Sequence, residues 1–202
     1  EVITGIANLI ESRDGSTGLH VKNTQNYVQI LTKALREKGM YPDILDHNYE
    51  LNTVKASVLH DIGKIKTPDA ILLKPGRLTD EEFEVMKQHT VAGCEIIDRI
   101  IGNVEHEEYV DIARKIARYH HERWDGTGYP DGLSGEEIPL CARIMALADV
   151  FDALYQDRCY KKAIRPASKV FEIIKENSGS QFDPNLTEIF LELQREITDI
   201  SE

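Results

Sequence analysis

Four stretches of this chain repeat one arrangement: an apolar stripe at helical spacing that leads to a histidine. From Leu19 to Lys38, the residues His20, Thr24, Tyr27, Leu31 and Leu35 recur three or four positions apart, so an imidazole shares the face that must be buried. Gly39 and Pro42 end that helix. Leu51, Val54 and Val58 form a second stripe that runs into His60 and Asp61 before Gly63 breaks it. Thr79 and Glu82 read as a capping box that opens a helix carrying Phe83, Met86 and His89. Val110, Ala113 and Ala117 lead to His120, with His121 beside it. A fold that satisfies all four stripes is helical and gathers five imidazoles inside.

The rest of the chain agrees. Pro139 begins a helix to about Tyr155, with Ile144, Ala148 and Phe151 toward the core and Met145, Asp149 and Asp152 on an adjoining face. A shorter helix spans about Ala167 to Glu176 and is ended by Asn177, Ser178 and Gly179. Asp183 before Pro184 signals the N-terminus of a last helix, with Leu186, Ile189, Phe190 and Leu193 inward. Between Glu122 and Pro139, Gly126, Gly128, Pro130, Gly132 and Gly135 indicate a long ordered loop, a kind of segment that usually carries function. No strand alternation, internal repeat or low-complexity tract is present, so the expected fold class is all-α.

A single inward histidine is ordinarily a hydrogen-bonded core residue. Five of them with two or three carboxylates would leave too many polar groups to satisfy in one small core unless they share a metal. Imidazole and carboxylate together suit iron, manganese or zinc, and one aspartate can bridge two ions. The three cysteines, Cys94, Cys141 and Cys159, are odd in number and lack a C-x-x-C spacing. That suggests neither a disulfide framework nor a thiolate zinc site, favours iron or manganese over a structural zinc, and fits a reducing cytoplasm. His47 and His106 lie in polar surroundings and are expected at the surface.

A net charge of -11 argues against bulk DNA or RNA binding. No apolar run approaches the roughly 20 residues needed to cross a bilayer, so this segment is expected to make no membrane contact. The chain opens on Glu1, and residues 1–202 are expected to be one domain of a longer regulatory protein.

Particular residues add a resemblance. His60-Asp61-Ile62-Gly63-Lys64 resembles the signature of HD-domain phosphohydrolases. The run from His120-His121-Glu122 through Gly128-Tyr129-Pro130 is similar to the loop that defines the HD-GYP branch of that superfamily. The likeness continues through Lys74-Pro75-Gly76-Arg77-Leu78-Thr79, the stretch around His89, Ala148-Asp149-Val150-Phe151-Asp152 and Phe182-Asp183-Pro184. It implies an HD-type helical bundle that hydrolyses a cyclic dinucleotide, cyclic di-GMP or 3'3'-cyclic GMP-AMP, to the linear dinucleotide.

The same resemblance implies two divalent ions, iron or manganese ahead of nickel, zinc, magnesium or calcium. His20, His60, Asp61 and Asp149 would hold the first; a shared Asp61 with His89, His120 and His121 would hold the second. Asp61 and Lys64 would be catalytic, Lys64 as a phosphate contact. Asp14, Tyr129, Asp152, Arg158 and Lys161 would line the nucleotide pocket. Ser16 stands where many similar proteins have a glutamate associated with a third metal, so two ions and a halt at the linear product are expected. Hydrolysis of another nucleotide, or a metal-bound interaction module with little activity, are the alternatives. A regulatory domain elsewhere in a longer protein and a homodimer are compatible with the resemblance.

Overall fold

The computed structural model describes residues 2–13, 19–102, 106–156 and 163–201. Among them no strand occurs, only an isolated bridge between Ser178 and Phe182. The helices are α1 (Val2–Arg13), α2 (His20–Glu37), α3 (His47–Ala56), a single turn α4 (Asp69–Leu72) and α5 (Asp80–Ile101). They are followed by α6 (Glu107–Tyr119), α7 (Leu140–Tyr155), α8 (Ala167–Glu176), α9 (Pro184–Glu192) and α10 (Gln194–Ser201). None of them is long and apolar enough to cross a membrane.

Several ends are set as the residues dictate. Thr79 accepts from the Glu82 amide while Glu82 reaches back to the Thr79 amide, the reciprocal box that opens α5. Asp183 accepts from the amides of Asn185 and Leu186 and Pro184 occupies the first turn of α9. α2 and α7 run against each other through the centre, joined by Tyr27 edge-on to Phe151 at 5.1 Å. Phe151 also meets Phe171 and Phe190, so α8 and α9 close over the same aromatic cluster.

The helix expected to continue through Val58 to His60 does not. α3 ends at Ala56 and two 3-10 turns follow, Ser57–Leu59 and Ile62–Lys66, with His60 and Asp61 at their junction. Close packing on α5 accounts for the change of pitch. A Cβ on Gly63 would fall on the carbonyl of His89 and the amide of Gly93, so the backbones touch with no room for a side chain. The buried face of α3 is also turned from the expected one. Glu50, Thr53 and Ala56 are inward, Glu50 because it pairs with Arg36 of α2, and Leu51 is 40% exposed. Phe83, expected in the core, is 43% exposed and lies edge-on to Tyr129.

Candidate metal centre

The five inward histidines converge. His20 opens α2, His89 lies midway along α5, His60 sits between the 3-10 turns, and His120 and His121 follow α6. Four of them are fixed in the same way, through Nδ1. His60 Nδ1 meets the Ser57 carbonyl at 2.9 Å, His89 Nδ1 the Met86 carbonyl at 2.6 Å and His120 Nδ1 the Ile116 carbonyl at 2.9 Å. His20 Nδ1 meets the Asp152 carboxylate at 2.6 Å. An acceptor on Nδ1 assigns the proton there and leaves the Nε2 lone pair pointing inward.

All four Nε2 atoms are buried without a hydrogen-bond partner, and so is Asp61 Oδ1. Orphaned acceptors cost free energy in a protein interior, and a divalent ion is what such a set would satisfy. Asp61 turns its two oxygens to different sides. Oδ1 lies 3.3 Å from His89 Nε2 and 3.7 Å from His120 Nε2, while Oδ2 lies 3.3 Å from His60 Nε2 and 2.8 Å from Lys64 Nζ. Donors on one ion with bonds of about 2.1 Å are separated by at most roughly 4.2 Å, so these spacings fit a bridging carboxylate. Two groups of donors result, each within 4.8 Å: Asp61, His89, His120 and His121, and Glu11, His20, His60 and Asp61. Asp149 adjoins the second group, its Oδ1 3.4 Å from His20 Nε2. The donor set therefore fits a pair of divalent ions.

Protonation follows from burial and charge. Burial pushes the His89 imidazole down to about 4, and burial beside the His120 and His89 rings pushes His121 well below its ordinary value, so both rings favour the neutral form. At His60 burial also acts downward, but Asp61, Asp149 and Glu11 outweigh it and bring the ring up to about 9. A cation held there would displace a proton from His60. Burial opposes ionisation of Asp61, yet Lys64 and His60 hold its carboxyl well below the usual range. The Asp149 carboxyl is lowered in the same way by His60 and His20, against its own burial.

The loop after His121 is built to hold one ring against this cluster. Glu122, 3% exposed, accepts from the backbone amides of Asp131, Gly132 and Leu133 and so closes the loop on itself. Asp125 accepts from the amide and hydroxyl of Thr127. A Cβ on Gly128 would strike the backbone of Arg123, Glu122 and His121, which is why glycine precedes Tyr129. Tyr129 then lies on His121 with ring centroids 4.9 Å apart. Burial, with Asp61 and Asp149 nearby, raises its phenol, which stays a neutral donor.

Of the residues expected at the site, His20, His60, Asp61, Lys64, His89, His120, His121, Tyr129 and Asp149 are brought together. Asp152, expected along the nucleotide pocket, is 1% exposed and engaged with His20, Asn23 and Tyr27, so it orients the His20 ring and offers no surface to a nucleotide. Asp14, Ser16, Arg158 and Lys161 lie outside the described residues. His47 and His106 are exposed, as expected. Glu11 was not foreseen. It is 3% exposed on the face of α1 that carries Ala7 and Ile10, and a carboxylate on an apolar helical face is the signal that marks it.

A helical bundle that aims histidine lone pairs and a shared aspartate at one another defines a metal-binding domain of the histidine–aspartate class. A family model described as HD domain matches residues 7–186, and the chain belongs to that family. It is 46% identical over 202 residues to a cyclic di-GMP phosphodiesterase of Vibrio cholerae serotype O1, covering 98% of this chain and 40% of that protein. It is 42% identical over 200 residues to a cyclic di-GMP phosphodiesterase of Thermotoga maritima, covering 99% of this chain and 50% of that one. The chain thus spans half or less of the length of these curated relatives. A solved structure of a cyclic GMP-AMP specific phosphodiesterase of Vibrio cholerae superposes with a TM-score of 0.64 at 18% identity, over 98% of this chain and 50% of that one, a likeness of fold.

Proposed function

We propose that this domain is a metal-dependent phosphodiesterase that opens a cyclic dinucleotide, cyclic di-GMP in the first place, to its linear form. The observation that carries the proposal is the pair of donor groups sharing Asp61 beside a loop that sets Tyr129 over His121. The relatives named for cyclic di-GMP hydrolysis support the substrate. Two ions, iron or manganese, complete the reading. When bound, they would neutralise the phosphate and lower the pKa of a nucleophilic water.

The chain's own groups supply the remainder. Asp61 keeps its charge at neutral pH and ties the two donor groups together. Lys64 Nζ, 2.8 Å from Asp61, adds positive charge where a phosphate oxygen becomes more anionic in the transition state. The reaction adds a water oxygen to phosphorus and breaks the bond to the ribose 3′ oxygen, which leaves with a proton. A cavity of about 280 Å³ lined by Phe83, Lys87, His121 and Tyr129 opens on one side of the centre. A separate groove of about 1360 Å³ is lined by Leu19, Lys22, Asn23, Arg165 and Arg195. Asp14, Arg158 and Lys161 join the pocket by resemblance. A regulatory domain in the remaining length, pairing of two copies and a cytoplasmic location belong to the same proposal.

The test is a time course on a panel of cyclic dinucleotides with manganese or ferrous iron, resolving cyclic, linear and mononucleotide species. Cyclic di-GMP should be consumed fastest, with the linear dinucleotide accumulating and mononucleotide appearing slowly. A metal-loaded protein that leaves every cyclic dinucleotide intact would overturn the proposal; preference for cyclic GMP-AMP would correct the base, and immediate mononucleotide the halt at the linear product.

A further inference from the structure

We infer that Glu11 is a ligand of the ion held by His20 and His60, and that it makes the two metal positions chemically unlike. The inference rests on the two-metal reading above and extends it to a residue outside the ligand set that the resemblance supplies. Glu11 reaches the centre from α1, a different element from any expected ligand, and its side chain is 4% exposed. Its Oε1 lies 4.0 Å from His20 Nε2, inside the roughly 4.2 Å that two donors on one ion can span. It also lies within 4.8 Å of the donor atoms of His60 and Asp61. The same oxygen is 3.9 Å from Lys64 Nζ, too long for a direct hydrogen bond.

With Glu11 counted, the first position offers two imidazoles, His20 and His60, and three carboxylates, Asp61, Asp149 and Glu11. The second offers three imidazoles, His89, His120 and His121, and Asp61 alone. Oxygen-rich sets suit hard ions such as manganese or magnesium, and imidazole-rich sets suit iron, zinc or nickel. Glu11 therefore draws a hard ion to the first position.

The test is titration of metal-free protein with Mn²⁺ alone, followed by calorimetry and by electron paramagnetic resonance of the bound ion. Wild type should show two binding events. Glu11→Gln, which keeps the shape and loses the charge, should weaken one of them at least tenfold and spare the other; Glu11→Asp, which keeps the charge and shortens the reach, should weaken the same event less. Both variants should then bind Zn²⁺ at the second position as wild type does. A role through Lys64 alone predicts that Glu11→Gln has no effect on Mn²⁺ binding in a Lys64→Met background, whereas a ligand predicts the same loss there. Unchanged affinities in Glu11→Gln and Glu11→Asp overturn the inference. No nucleotide enters the experiment, so its failure is separate from a failure of the substrate reading, and wild type binding no Mn²⁺ would refute the metal centre itself.

Discussion

Asp61→Ala should strip the protein of metal and abolish hydrolysis together, whereas His47→Ala should change neither. Asp61 is the one residue common to both donor groups, so its removal costs each ion a ligand at once. It also removes the negative charge that faces Lys64 at 2.8 Å and that does most to keep the buried His60 ring protonated. The expected fall in turnover exceeds the 10²–10³-fold that loss of a single electrostatic donor typically causes. Asp61→Asn separates charge from shape: it should also lose metal, because a neutral amide neither bridges two ions nor offsets Lys64. Metal content by plasma mass spectrometry and product formation by chromatography read both effects on one sample. Near-normal turnover in Asp61→Ala would refute the bridging role. His47, exposed at the start of α3, is the matched control.

Gly63→Ala should do comparable damage with one methyl group. The added carbon has no free volume, since it points into the backbone of α5 at His89 and Gly93, and backbone cannot rotate aside as a side chain can. α5 would have to withdraw, carrying His89 with it, or the turn that holds His60 and Asp61 would have to shift. Overpacking of this kind costs about 1–3 kcal/mol, occasionally more, and here the displacement falls on ligands of both positions. The variant should melt lower and bind the second ion weakly even where it still folds. Gly5→Ala is the comparison: a Cβ there meets nothing within 4 Å, and alanine is a better helix former than glycine. Equal melting temperatures and equal metal content for Gly63→Ala and wild type would contradict the packing account.

The fold and most of the centre were legible because the chain marks them locally. His20 and His120 stand on apolar stripes of helical period, and His89 lies on the helix that the Thr79–Glu82 box opens, a box the structure reproduces. The loop was legible for a different reason, since glycine and proline at 126–135 forbid helix whatever the surroundings. What escaped notice depends on contacts between distant segments. The pitch changes after Ala56 because Gly63 must touch α5, and no residue from Ser57 to Asp61 announces that. Leu51 yields the inner face of α3 to Glu50 because Arg36, on another helix, waits to pair with it. Asp152 turns inward to His20, 132 positions away in the chain. Glu11 was overlooked because α1 lacks a histidine, and a lone glutamate on an apolar face gains meaning only once His20, His60 and Asp61 are seen beside it.

The central claim is that two ions sit on either side of Asp61, and anomalous diffraction from a crystal of the Mn²⁺-loaded protein addresses it most directly. The account predicts two strong peaks per chain, both within bonding distance of the Asp61 carboxylate, one adjoining His20, His60, Asp149 and Glu11 and the other His89, His120 and His121. A single peak, three fully occupied peaks, or two peaks that do not share Asp61 would contradict it.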